Sequence, residues 1–304
     1  MTIATRRLPR ITSLKFQTER EGIFLKQSFS LVREEGLTIR GDIFIKDDTQ
    51  EYSRKPVVIV CHGFKGFKDW GMFPRIGEYL AEQGFAAITF NFSGNGVGED
   101  LENFTELERF GRNTYQQELG DLDFLVQQIK HSGLPLANRM DPYRIGMMGH
   151  SKGGGDTLLY ASSYPDVLRA VVTWNGIAHV DIFGSDVRKQ AEEEGTGYVV
   201  NGRTGQKMPI EKIVFDDIDA NARQYDLLNC VAQMDVPLLI VQGREDFARL
   251  VKGAASLKEH AKQAILYWVD GAGHTFNMVH PHKEDTSEFL EALEITAKFF
   301  QEHL

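Results

Sequence analysis

Three residue types that together perform acyl transfer are spread along this chain in the order serine, aspartate, histidine. Ser151 sits in Gly149-His-Ser-Lys-Gly153, which fits the pattern G-x-S-x-G. A serine hydroxyl at its ordinary acidity is a poor nucleophile and needs a base within hydrogen-bond reach. His274, closing the run Gly271-Ala-Gly-His274, is the candidate base. Asp246 is the candidate carboxylate that holds the imidazole's tautomer and stabilises the imidazolium; Glu245 and Asp270 compete with it for that role. A tetrahedral oxyanion needs two preorganised donors, together worth several kcal/mol of the barrier. The backbone N–H groups of Lys152 and of Phe64, in His62-Gly-Phe-Lys-Gly66, are the candidates. In this reading the Lys152 side chain is incidental, and His62 shapes its loop without acid–base work.

The motif alone is weak in a chain with 29 glycines, and an ordinary strand-to-helix turn would satisfy it. Its setting strengthens it. Tyr143 to Met148 reads as a buried strand running into the turn, and a helix begins at once behind Ser151. Such a turn must hold the serine in a strained conformation, so both flanking positions must be glycine. The helix start adds unpaired N–H groups and the positive end of a dipole.

The other elements follow the same rhythm. Residues 11–47 alternate with period two and read as antiparallel strands. Pro56–Cys61 is an uninterrupted apolar run, as expected of a strand buried on both faces. Further strands are expected at Phe85–Phe90, Arg169–Trp174, Val236–Val241 and Ala264–Val269, with helices between them and a closing helix over Thr286–His303. Tyr115–His131 carries apolar residues at helical spacing. The glycine-rich loop Asn91–Gly98 matches no phosphate-binding pattern and reads as a turn needing positive φ. Residues 177–228 break the rhythm and carry an Asn201-Gly202 hairpin signal. They read as an insertion within one 304-residue domain, a lid or cap over the sheet's edge. Phe183, Tyr198, Phe215 and Tyr225 either line a pocket there or form the insertion's own small core. The expected architecture is α/β: a mostly parallel sheet covered by helices on both faces. Ligand sites in such sheets lie beyond the carboxyl ends of the strands, where the His62 loop, Ser151, Asp246 and His274 all fall.

Composition narrows the classes. Net charge is −9, with 42% hydrophobic and 25% charged residues, which argues against nucleic acid or anionic membranes as partners. No stretch approaches the ~18 continuous apolar residues of a membrane span. Arg6, Arg7 and Arg10 precede the first acid, Glu19; a plain N-terminal arm is the reading, a transit peptide the alternative. Cys61 and Cys230 read as two buried thiols in a reducing cytoplasm. His179, His280 and His282 have irregular spacing and no joining carboxylates, so neither a metal nor another cofactor is expected.

Taken together, Ser151, Asp246 and His274 in that chain order resemble the α/β-hydrolase superfamily over about residues 25–303. The run Asp141–Gly154 and the run His62–Gly66 are similar to the dienelactone-hydrolase and prolyl-oligopeptidase-like branch, and within it to cinnamoyl (feruloyl) esterases. That resemblance implies the α/β-hydrolase fold, an oxyanion amide from the residue after His-Gly, and an inserted subdomain between the nucleophile helix and the acid. It implies a serine esterase acting on a small-molecule ester, of which cinnamoyl-type esters are one class; a homodimer is compatible with it. Peptidase, thioesterase or acyltransferase activity on the same triad, or a non-catalytic binding protein on this fold, are the alternatives.

Overall fold

The computed structural model describes residues 18–21, 24–33, 36–47, 54–100, 103–261 and 263–304. The arginine-bearing arm and most of the polar turn near residue 50 lie outside the described residues. The chain enters through antiparallel strands β1 (Thr18–Glu21), β2 (Phe24–Val32) and β3 (Thr38–Lys46). It then alternates: β4 (Lys55–Cys61), α1 (Met72–Glu82), β5 (Ala86–Asn91), short α2 (Leu107–Gly111) and α3 (Tyr115–Lys130). After these come β6 (Met140–His150), α4 (Lys152–Ser163) and β7 (Ala170–Trp174). Off the main sheet lie α5 (Ser185–Glu194), β8 (Thr196–Val200), β9 (Lys207–Glu211) and α6 (Lys212–Ala220). The chain returns through α7 (Leu227–Gln233), β10 (Leu238–Gly243), α8 (Ala248–His260), β11 (Ile265–Val269) and α9 (Ser287–His303).

Nine strands of the described residues form one sheet in the order β1-β2-β3-β5-β4-β6-β7-β10-β11. From β5 to β11 every pairing is parallel. The apolar run of β4 explains its central place: Val57, Ile59 and Cys61 bury into one core, Val58 and Val60 into the other. Helices α3, α4, α7 and α8 cover the first face, α1 and α9 the second. Each large aliphatic or aromatic side chain buried this way contributes about 1.5–3 kcal/mol. Two helix starts are capped by threonine: Thr114 accepts from the N–H of Gln117, and Thr286 from that of Phe289, each at 3.2 Å.

Strand order decides where chemistry can happen. From β4 the chain steps one way to β5, then crosses back to β6 on the other side. A crevice opens at such a switch, beyond the strand ends. Cys61 pairs with Gly149 across β4 and β6, and His150 pairs with Trp174 across β6 and β7. The residues that follow, the His62 loop, Ser151 and Asn175, therefore emerge side by side.

The segment after β7 holds a separate two-stranded sheet, β8 against β9. The hairpin forms, but not on a two-residue Asn-Gly turn: six residues, 201–206, connect the strands. The Asn201 side chain accepts from the Arg203 N–H at 3.0 Å, and positive φ falls on Gly205 instead of Gly202. That side-chain bond competes with the tight turn and widens it. The expected end of the insertion, residue 228, falls inside α7, whose Leu227, Cys230 and Val231 pack into the main core.

Candidate active site

Ser151 stands between β6 and α4 with φ 56° and ψ −118°, a conformation costly for any residue with a side chain. Its surroundings enforce it. The Ser151 N–H bonds the Trp174 carbonyl at 2.9 Å, and its own carbonyl accepts from Gly154 and Ile177. A Cβ on Gly149 would lie 2.0 Å from the Gly153 carbonyl oxygen; one on Gly153 would lie 2.4 Å from that of His62. Both glycines are required by space, as the motif predicts. The Lys152 N–H opens α4 and has no acceptor within the helix.

The imidazole of His274 comes to this hydroxyl from a loop 123 residues away, with Nε2 3.1 Å from Ser151 Oγ. Its Nδ1 lies 3.0 and 3.1 Å from the two oxygens of Asp246. Of the three carboxylates weighed from sequence, Asp246 is thus the one at the ring. Glu245 is exposed, and Asp270 pairs with Arg244. Burial alone would raise the pKa of Asp246. The His274 contacts, the Phe247 N–H and the Gln242 amide outweigh it and hold the carboxyl below its ordinary value. Asp246 is therefore ionised at neutral pH and orients an Nδ1–H tautomer, which leaves Nε2 free to accept a proton.

The Phe64 loop approaches the serine closely: a Cβ on Gly63 would sit 2.9 Å from Ser151 Cβ. His62 braces it. Its Nδ1–H donates to the Gly63 carbonyl at 2.9 Å, and Nε2 accepts from the Phe92 N–H at 3.3 Å. Burial lowers its pKa to about 4, so it is neutral, a bracing residue as expected. Lys68 anchors the same loop, its buried ammonium between Asp42 and Asp69 at 2.7 and 2.8 Å. Phe64 lines two clefts. One holds Ser151, His274, Trp70, Phe73 and Asn201. The other, more enclosed, runs between Phe110, Phe183 and Val214 to a floor of Glu118 and Lys152.

One reading from sequence needs revision. The Lys152 side chain is not incidental. Its buried ammonium pairs with Glu118, lies 3.5 Å from Asp156, and stands 4.0 Å from the Tyr115 ring centre. It ties α3 to α4 beneath the second cleft. The aromatic residues of the insertion divide between both expected roles: Phe183 borders the cleft and packs on Phe64 and Phe215, Phe215 and Tyr225 are buried, and Tyr198 is exposed. The remaining histidines do not gather. His280 stacks on Trp70, His282 pairs with Asp285 and His179 is exposed. Among the described residues no group of three His, Cys, Asp or Glu is placed to hold a metal ion. No helix among them is long and apolar enough to cross a membrane. Cys61 and Cys230 are both buried and unpaired with each other.

Two residues that sequence reasoning passed over touch the base loop. His150 Nε2–H donates to the His274 carbonyl at 2.7 Å, and Asn175 Nδ2 donates to the same oxygen at 2.8 Å. The only signal in the chain was position: each is a polar residue at the carboxyl end of a buried strand.

Residues 56–193 match the family described as alpha/beta hydrolase fold. The bis(hydroxyethyl) terephthalate hydrolase of Streptomyces coelicolor is 31% identical over 120 residues, 39% of this chain and 33% of that protein. The chain spans about half the length, or less, of the curated relatives it matches first. Among solved structures, Est1E from Butyrivibrio proteoclasticus superposes with TM-score 0.65 at 19% identity, covering 91% of this chain and 98% of that one. A dienelactone hydrolase from Anabaena variabilis gives TM-score 0.58 at 14% identity, covering 92% and 99%. Strand order, the sharp turn at Ser151 and the matched stretch agree, and this chain has the α/β-hydrolase fold.

Proposed function

We propose that the protein is a serine hydrolase that cleaves carboxylic esters through an acyl-enzyme. The observation that carries this is the continuous chain from Ser151 Oγ through His274 to Asp246, each link 3.0–3.1 Å long. As Ser151 attacks the ester carbonyl, His274 Nε2 takes its proton, and Asp246 stabilises the imidazolium. The N–H groups of Lys152 and Phe64 receive the oxyanion. His274 returns the proton to the leaving alcohol, then draws one from the water that releases the acid.

The Streptomyces relative, a bis(hydroxyethyl) terephthalate hydrolase, supports this reading, as does Est1E, whose structure has also been solved with ferulic acid bound. The cleft that holds Ser151 and His274 is walled by Phe64, Trp70 and Phe73, aromatic surfaces in keeping with cinnamoyl-type esters within the class. The segment from α5 to α6 acts as the lid. Lys65 Nζ reaches the Val200 carbonyl at 3.2 Å, and Asn201 borders the Ser151 cleft. Turnover of 4-nitrophenyl acetate and methyl ferulate by wild type and by Ser151→Ala tests the proposal. The substitution abolishes turnover of both while the far-ultraviolet spectrum is unchanged; retained turnover contradicts it.

A further inference from the structure

His274 lies on a loop between β11 and α9. Its ring must meet Ser151 and Asp246 at once, and those residues belong to two other loops. The ring contacts alone leave the loop's main chain to be fixed by something else. Two buried side chains converge there. The His274 carbonyl accepts from His150 Nε2–H at 2.7 Å and from Asn175 Nδ2 at 2.8 Å. Because that partner is a carbonyl, Nε2 of His150 carries the hydrogen. The two histidine rings stand 4.7 Å apart.

Asn175 does more than donate. Its Nδ2 also lies 3.2 Å from the Gly273 carbonyl, and its Oδ1 accepts from the Gly243 N–H at 2.7 Å. Gly243 ends β10, three residues before Asp246. One wholly buried amide thus joins the end of β7, the acid's strand and the base's loop. It does so with φ 47°, a left-handed conformation that asparagine tolerates better than most residues. Both donors are also bound to the nucleophile's own turn. His150 precedes Ser151, and Asn175 follows Trp174, whose carbonyl holds the Ser151 N–H at 2.9 Å.

Resting on the triad reading above, we propose that His150 and Asn175 are positioning residues that clamp the His274 main chain to the turn of the nucleophile. The distance between base and nucleophile is then set by the strand ends and not by the mobility of a loop. Burial and the neighbouring His274 keep the His150 ring neutral, at about 3, so its single N–H stays on the clamp.

The test is a two-by-two cycle on 4-nitrophenyl acetate, with His150→Phe placed in wild type and in His274→Ala. A misplacement of the base by a fraction of an ångström lowers kcat by about tenfold, with KM within about twofold. His150→Gln, whose amide can reach the same carbonyl, recovers kcat to within about threefold of wild type. In the His274→Ala background, His150→Phe leaves the residual rate unchanged, because the group it acts through is gone. Should His150→Phe be too unstable to assay, Asn175→Ala takes its place; it removes the donor to the His274 carbonyl, and the same cycle against His274→Ala separates that loss from the loss of the bond from Gly243. Equal losses in both backgrounds, a glutamine variant as poor as phenylalanine, or wild-type kcat in the phenylalanine variant would each overturn the clamp while the triad stands. Wild-type activity in His274→Ala would overturn the triad itself, and the clamp with it.

Discussion

At the scale of single residues, the site depends on charge being held in one place. Asp246 is ionised because the donors around it outweigh its burial, and only an ionised carboxylate holds His274 as the Nδ1–H tautomer. Asp246→Asn is expected to lower kcat by about 10⁴-fold on nitrophenyl esters. Glu245→Gln and Asp270→Asn stay within about threefold, since neither side chain touches the ring. The buried histidines give a second expectation. Burial holds His150 at about 3 and His62 at about 4, against an ordinary value near 6.5. Below pH 6.5 the unfolded chain takes up protons that the folded chain refuses, so stability present above that pH is lost as pH falls. By pH 5 the loss is about 2 kcal/mol for each histidine. Asp156, which burial pushes up to about 6, works in the opposite sense and offsets part of one. Urea midpoints at pH 7 and pH 5 check this: the midpoint falls on acidification, and falls less in His150→Gln.

At the scale of elements, the turn at Ser151 is held by crowding. Gly153→Ala puts a methyl group 2.4 Å from the His62 carbonyl, where only backbone can give way, and costs about 1–3 kcal/mol or more. Gly202→Ala meets nothing within 4 Å and is expected to leave the urea midpoint where it is. The strands, the glycine-flanked turn and the order serine, aspartate, histidine were legible in the sequence because each leaves a local mark: period, apolar run or motif. What was not legible depends on distant partners. Lys152 meets Glu118 across two helices, 34 residues apart. His150 and Asn175 bond a carbonyl 124 and 99 residues away, and a carbonyl is present at every position, so no residue type announces it. The hairpin at residues 201–206 was found but its width was not, because the Asn201 side chain captures the Arg203 N–H before a two-residue turn can close.

At the scale of the whole molecule, six parallel strand ends deliver the parts of the site to one rim, and the segment from α5 to α6 stands over that rim. It is tied down beside the cleft by Lys65 to the Val200 carbonyl and Gln206 to the Phe104 carbonyl at 3.1 Å, and away from it by the Gln116 N–H to Asp217 at 3.3 Å and by Met208, Ile210 and Phe215, which bury in the main core. If it selects the substrate, replacing residues 197–210 by a short glycine-serine link lowers kcat/KM for methyl ferulate about tenfold or more while that for 4-nitrophenyl acetate stays within about threefold. Equal losses on both would make the segment a structural element only. Beneath this lies the claim that one hydroxyl has been made nucleophilic, and it can be read directly. Wild-type protein treated with a fluorophosphonate and digested is expected to carry one adduct, on the peptide containing Ser151, formed at least about a hundredfold faster than in His274→Ala. An unlabelled Ser151, or an adduct that forms as fast without His274, would contradict the account.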